Sequence, residues 1–142
     1  MTTGRFPYKL LSKYPHMKPA DVAIWERFIN TNADFFDTVD YDVHVGEGAE
    51  FLPTGEDTPD GRENRLYQKK IDVVGYLGDA VWLVEVKPEA DIFALGQILT
   101  YSDLAFKSMS FVLPPQLLVI SAKIVNDMKE VYAKFDIKVI II

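Results

Sequence analysis

Residues 66–87 constrain the fold more tightly than any other stretch. Two β-rich runs, 66–77 and 80–87, are separated only by Gly78-Asp79, a pair that favours a tight antiparallel hairpin. Successive strand residues point to opposite faces, so Glu85 and Lys87 share one face while Val84 and Val86 take the other. In the first run Lys70, Asp72 and Val74 share a face by the same rule. Antiparallel pairing through the turn then sets Asp72 opposite Glu85, give or take the register. Two carboxylates and an ammonium meet near the ends of interior strands. Burying such charges without a purpose is costly.

The rest of the chain supplies a sheet around this hairpin. The first 18 residues carry Pro7 and Pro15 and only basic charges, Arg5, Lys9, Lys13 and Lys18; they read as an irregular basic arm. Pro19 suits the first position of a helix and Asp21 its first turn. Val22, Trp25, Phe28 and Ile29 recur at helical spacing, which carries the helix to about Asn30. Residues 38–45 alternate, with Val39, Tyr41, Val43 and Val45 on one side and Asp40, Asp42 and His44 on the other, as in a half-buried strand. Glycines, prolines and acids mark 46–64 as a long flexible acidic loop, a target for limited proteolysis. Pro88 stops the second hairpin strand. A helix is expected over 91–107, with Ile92, Leu95 and Leu99 on one face. A doubly buried strand follows at 116–121, then a helix over 125–135 and a last strand at 137–142. The predicted order is α-β-β-β-α-β-α-β, an α/β domain with a central mixed sheet flanked by helices, spanning residues 1–142.

Composition narrows the chemistry. Cysteine is absent and the only histidines are His16 and His44, so a thiolate or histidine-rich zinc site is excluded. A catalytic metal would be a hard cation, Mg²⁺ with Mn²⁺ as substitute, held by carboxylates. Two carboxylates can hold such an ion, which polarises a phosphoryl group and acidifies water; a lysine beside them stabilises developing negative charge. No apolar run approaches the ~20 residues that span a bilayer, and no signal peptide is visible, so a cytoplasmic protein is expected.

Ile71-Asp72, twelve residues, then Glu85-Val86-Lys87 resembles the signature of the PD-(D/E)xK nuclease superfamily, on the hairpin where that family carries it, with Ile71 in place of the proline. Gln97-Ile98-Leu99-Thr100-Tyr101 is similar to the Q-x-x-x-Y element of its RecB-like branch. Glu26 resembles the extra acid that many members place near the metal. The resemblance covers roughly residues 19–121 and implies a restriction endonuclease-like αβββαβ core. It further implies that Asp72, Glu85 and the Val86 carbonyl ligate Mg²⁺ and that Lys87 acts on the attacking water. Gln97 would orient the site with Tyr101 in support.

The expected function is metal-dependent hydrolysis of phosphodiester bonds, with DNA as the expected substrate. The formal net charge of −6 runs against a dedicated nucleic-acid binder. It favours either a non-catalytic relative that binds nucleic acid or assembles with partners, or a protein partner that supplies substrate affinity. Arg65, Lys69 and Lys70, in the second basic run, are candidate nucleic-acid contacts. Cutting both strands of a duplex needs two sites, which suggests a homodimer. The plainer reading of the charged residues is a salt-bridged polar face. For Asp42 and His44, solvent exposure is favoured over a ligand role, and Gln97 with Tyr101 also fits an ordinary helix-surface pair.

Overall fold

A computed structural model describes residues 3–46 and 69–142. Its elements are β1 (Phe6–Pro7), α1 (Pro19–Thr31), β2 (Thr38–Val45), β3 (Lys69–Leu77), β4 (Ala80–Ala90), α2 (Ile92–Ser108), β5 (Gln116–Ile124), α3 (Lys129–Lys134) and β6 (Ile137–Ile141); a 3-10 turn, Asn126–Met128, precedes α3. The six strands lie in chain order in one sheet. Strands β1 to β4 pair antiparallel, whereas β4–β5 and β5–β6 are parallel. The architecture is α/β, a mixed sheet flanked by three helices. Among the described residues no helix is long and apolar enough to cross a membrane.

Each helix buries the face its sequence makes apolar. Helix α1 starts on Pro19 and lays Ile24, Trp25, Phe28 and Ile29 against Val39, Tyr41, Val73, Val84 and Val86 of the sheet. Helix α2 is capped by Asp91, whose carboxylate accepts the Ala94 N–H at 2.9 Å. Its Ala94, Leu95, Ile98 and Ala105 pack on the opposite face, joined by Tyr132 of α3. Both parallel crossovers therefore run over one side of the sheet, as a common right-handed sense requires. Helix α3 closes on Asp136 at φ 55°, a left-handed position where aspartate is better tolerated than most residues.

The turn end of the hairpin is regular. Gly78 takes φ 57° between paired Leu77 and Ala80, the positive-φ position that such two-residue turns demand. Gly75 leaves room for the Phe36 ring; a Cβ there would sit 2.3 Å from Phe36 Cε1.

Three expectations need correction, and the irregular basic arm is in addition docked against the domain. Phe6 and Pro7 pair with Val39 and Thr38, Tyr14 is buried, and Tyr8, Leu11 and Met17 pack against the α1-side core. Pro88 does not end its strand, which runs on to Ala90. The β4–β5 ladder skips that position between Lys87↔Ser121 and Glu89↔Lys123, and β3 is paired only as far as Val84, so the missing N–H leaves no gap in a ladder. Val39, Tyr41, Val43 and Val45 do not share a side: the first two join the α1-side core and the last two the α2-side core. Asp42, between them at φ 52°, turns the strand over. Strand β3 follows, with Val73 on the α1 side but Ile71 and Val74 both on the α2 side. Simple alternation from Lys70 through Asp72 to Val74 therefore fails at Asp72. Most of the acidic segment 46–64 lies outside the described residues.

Candidate active site

The strand reversal opens the sheet where the acids stand. Pairing of β3 with β4 ends at Val73↔Val84, and Asp42 and Asp72 drop out of the β2–β3 ladder between Tyr41↔Val73 and Val43↔Ile71. Extending the β3–β4 register by one residue brings Asp72 beside Glu85, as the hairpin pattern implies. In place of a ladder bond, the Val86 N–H donates to Asp72 Oδ2 at 3.0 Å. N–H and C=O of one strand residue point to the same side, so the Val86 carbonyl also faces this opening.

Glu85 is only 1% exposed. Its Oε2 lies 3.8 Å from Lys87 Nζ, whereas its buried Oε1 has no hydrogen-bond partner. Burial, then the charge of Asp72, pushes the Glu85 carboxyl well above its ordinary range, with Lys87 opposing. Asp72 is also raised, chiefly by burial, although the Val86 N–H and Lys87 both favour its charged form. Like charges this close cannot both ionise freely without a compensating cation. Lys87 keeps a quarter of its side chain in contact with solvent, at 26% exposure.

Two more elements reach the site. Tyr101 of α2 has its hydroxyl pKa raised by burial first and then by the charge of Glu85, with a smaller contribution from Asp72. Gln97, one turn earlier, donates to the Tyr101 oxygen at 3.4 Å. The Q-x-x-x-Y pair is therefore half-buried, on the side of α2 whose tyrosine feels the acids, rather than on an open surface. Glu26 does not join them. It accepts a hydrogen bond from Tyr14 at 2.9 Å, tying helix to arm. The α1 acid that faces the site is Asp21, 7% exposed, raised by burial and countered by Lys87; it acts in turn on Asp72. A rotation of about 100° per residue sets Glu26 roughly 140° round the helix from Asp21. Sequence reasoning passed over Asp21 because an acid in a first turn is already explained by the helix dipole. The usable signal was its spacing of four and seven from Trp25 and Phe28 on the buried stripe.

Lys69 and Lys70 begin β3 opposite Val45 and His44, at the same end of the sheet as the acids; Arg65 lies outside the described residues. Asp42 and His44 are not bare solvent residues, since His44 Nε2 and His16 Nε2 approach Asp42 Oδ2 at 3.4 and 3.6 Å. Among the described residues no group of three or more His, Asp or Glu side chains is gathered to hold a metal unaided. The opening does fit a hard cation in another way. It offers two mutually repelling carboxylates and a Glu85 oxygen without a hydrogen-bond partner, with the Val86 carbonyl on the same side, and Mg²⁺ ordinarily fills its remaining positions with water and substrate phosphate.

No protein-family model, no curated protein and no solved structure matches the chain.

Proposed function

We propose that this protein is a metal-dependent nuclease of the PD-(D/E)xK type, hydrolysing phosphodiester bonds with DNA as its substrate. One observation carries the reading. Asp72 and Glu85, with twelve residues between them in sequence, converge at an opening of the sheet where Glu85 is buried with an unpartnered oxygen and Lys87 stands 3.8 Å away. With both acids ionised, Lys87 balances one charge and leaves the other carboxylate buried and uncompensated, an expensive arrangement that a bound cation would relieve. In this reading Asp72, Glu85 and the Val86 carbonyl hold Mg²⁺, which supplies Lewis-acid activation of the phosphodiester when bound. Lys87 orients the attacking water and stabilises the negative charge that develops. Tyr101 and Gln97 fix the outer side of Glu85, and Asp21 takes the role first expected of Glu26.

The core order α1-β2-β3-β4-α2-β5 supports a restriction endonuclease-like fold. Lys69 and Lys70 provide phosphate contacts beside the opening, and a homodimer would present two sites to a duplex. The net charge of −6 favours a second reading, a non-catalytic module of the same fold that binds nucleic acid or assembles with partners. Incubation of wild type with single-stranded, duplex and branched DNA and with RNA, in Mg²⁺ and in Mn²⁺, separates the two. Cleavage that disappears in Asp72→Ala is expected. Failure to cut any substrate, with cell extract added to supply a partner, would favour the second reading.

A further inference from the structure

Ser121 shares the environment of the acids without taking part in the reading above. It is fully buried, at 0% exposure, and its Oγ finds no hydrogen-bond partner. A buried hydroxyl in that condition is costly unless something satisfies it. It pairs with Lys87 across the parallel β4–β5 ladder, just as Val119 pairs with Glu85. Val119 belongs to the α2-side core, and alternation sends Ser121 to that same face. Ser121 and Glu85 are thus diagonal neighbours on one face of adjacent strands. A glutamate side chain and one water reach between them.

Two buried oxygens without partners, Glu85 Oε1 and Ser121 Oγ, therefore sit on one face of neighbouring strands, and the Lys87 ammonium lies 3.8 Å from the other Glu85 oxygen. A buried water is stable where it finds two to four polar partners, and this patch offers three. We propose that Ser121, Glu85 and Lys87 hold one structural water, through which Ser121 acts as a positioning residue for the Glu85 carboxylate. The water donates to Glu85 Oε1 and Ser121 Oγ and accepts from Lys87 Nζ, so no polar atom of the three is left unpaired. Glu85 is then held through Oε1, with Oε2 left beside Lys87. The inference rests on the metal-site reading above for its effect on metal, but not for the water itself.

The test has two arms. Calorimetric titration with Mn²⁺ should show affinity falling roughly 10–100-fold in Ser121→Ala, the usual effect of removing an outer partner of a ligand. Recovery to within a few-fold is expected in Ser121→Thr, which keeps the hydroxyl. Thermal melts in the absence of metal should show both variants folded; a merely structural serine would change the melt and leave the affinity alone. Ser121→Ala binding Mn²⁺ as wild type does would overturn the positioning role. In the second arm, a high-resolution crystal structure of the metal-free protein should show a water touching Ser121 Oγ and Glu85 Oε1. A Ser121 hydroxyl bonded only to a main-chain carbonyl, with no such water, would overturn the proposal. If wild type bound no Mn²⁺ while the water was present, the nuclease reading would fail and the Ser121–Glu85 link would stand.

Discussion

The two ends of the β3–β4 hairpin are built from the same strands and obey different rules. At the turn end, Val74 to Tyr76 and Val81 to Leu83 pair residue for residue, and their side chains are buried apart from a partly covered Trp82. At the open end, the ladder stops after Val73↔Val84, the strand turns over beside Asp42, and Asp72 and Glu85 stand where apolar residues would be expected. At the turn end the ladder is paired through to the turn and the apolar side chains are packed, with Trp82 Nε1 the buried side-chain atom there that lacks a hydrogen-bond partner. The open end keeps a buried carboxylate oxygen unmatched. That contrast is what makes the open end the candidate site: strain and uncompensated charge persist where surrounding structure over-determines them.

The largest effect that sharpens the comparison belongs to the open end. Lys87→Ala should fold and bind Mn²⁺, yet lose about 10²–10³ in cleavage rate, the usual cost of one electrostatic catalytic group. Lys87→Arg should fail nearly as badly, because a broad planar fork does not replace a compact ammonium. Single-turnover cleavage measures both, and undiminished rates would remove Lys87 from the site.

A change at the turn end should do the reverse. Gly75→Ala drives a Cβ to 2.3 Å from the Phe36 ring, and overpacking of this kind costs about 1–3 kcal/mol. Denaturant unfolding should register that loss while Mn²⁺ affinity of the folded protein stays unchanged. Loss of metal binding in proportion to stability would mean that the two ends are not separable.

The smallest expected effect concerns the charge stored at the open end. Asp72 and Glu85 both have raised pKa values in the folded chain, so the native state binds protons that the unfolded chain has released. Their contribution is fully present below the ordinary carboxylate range and falls as pH rises through the raised values. Glu85→Gln should flatten that fall. It should also raise the metal-free melting temperature at neutral pH, by about 2–4 °C for each kcal/mol recovered. Melts of wild type and variant across pH, without metal, check this; parallel curves would show that Glu85 is not the strained group.

How much of this was legible in the sequence differs between the same two regions. Gly78-Asp79, the alternation around it and the apolar run at Leu117 to Ile120 sufficed for the hairpin and its buried neighbour, because period and turn chemistry are local properties. Asp72, Glu85 and Lys87 could be brought together from the register alone. The mechanism that brings them together was not legible. It depends on Asp42 at φ 52°, and no local pattern distinguishes an aspartate that turns a strand over from one that faces water. Asp21 was passed over in favour of Glu26 for a similar reason, since which side of a helix meets a distant strand is fixed by tertiary packing. Pro88 misled because its cost depends on whether a neighbouring strand needs its N–H.

The most direct measurement is a calorimetric titration of Mn²⁺ into metal-free wild type and into Asp72→Ala. If the open end of the hairpin is a cation site, wild type shows a saturable site and Asp72→Ala, still folded, shows none. Equal binding by the two proteins, or none by either, would contradict the account.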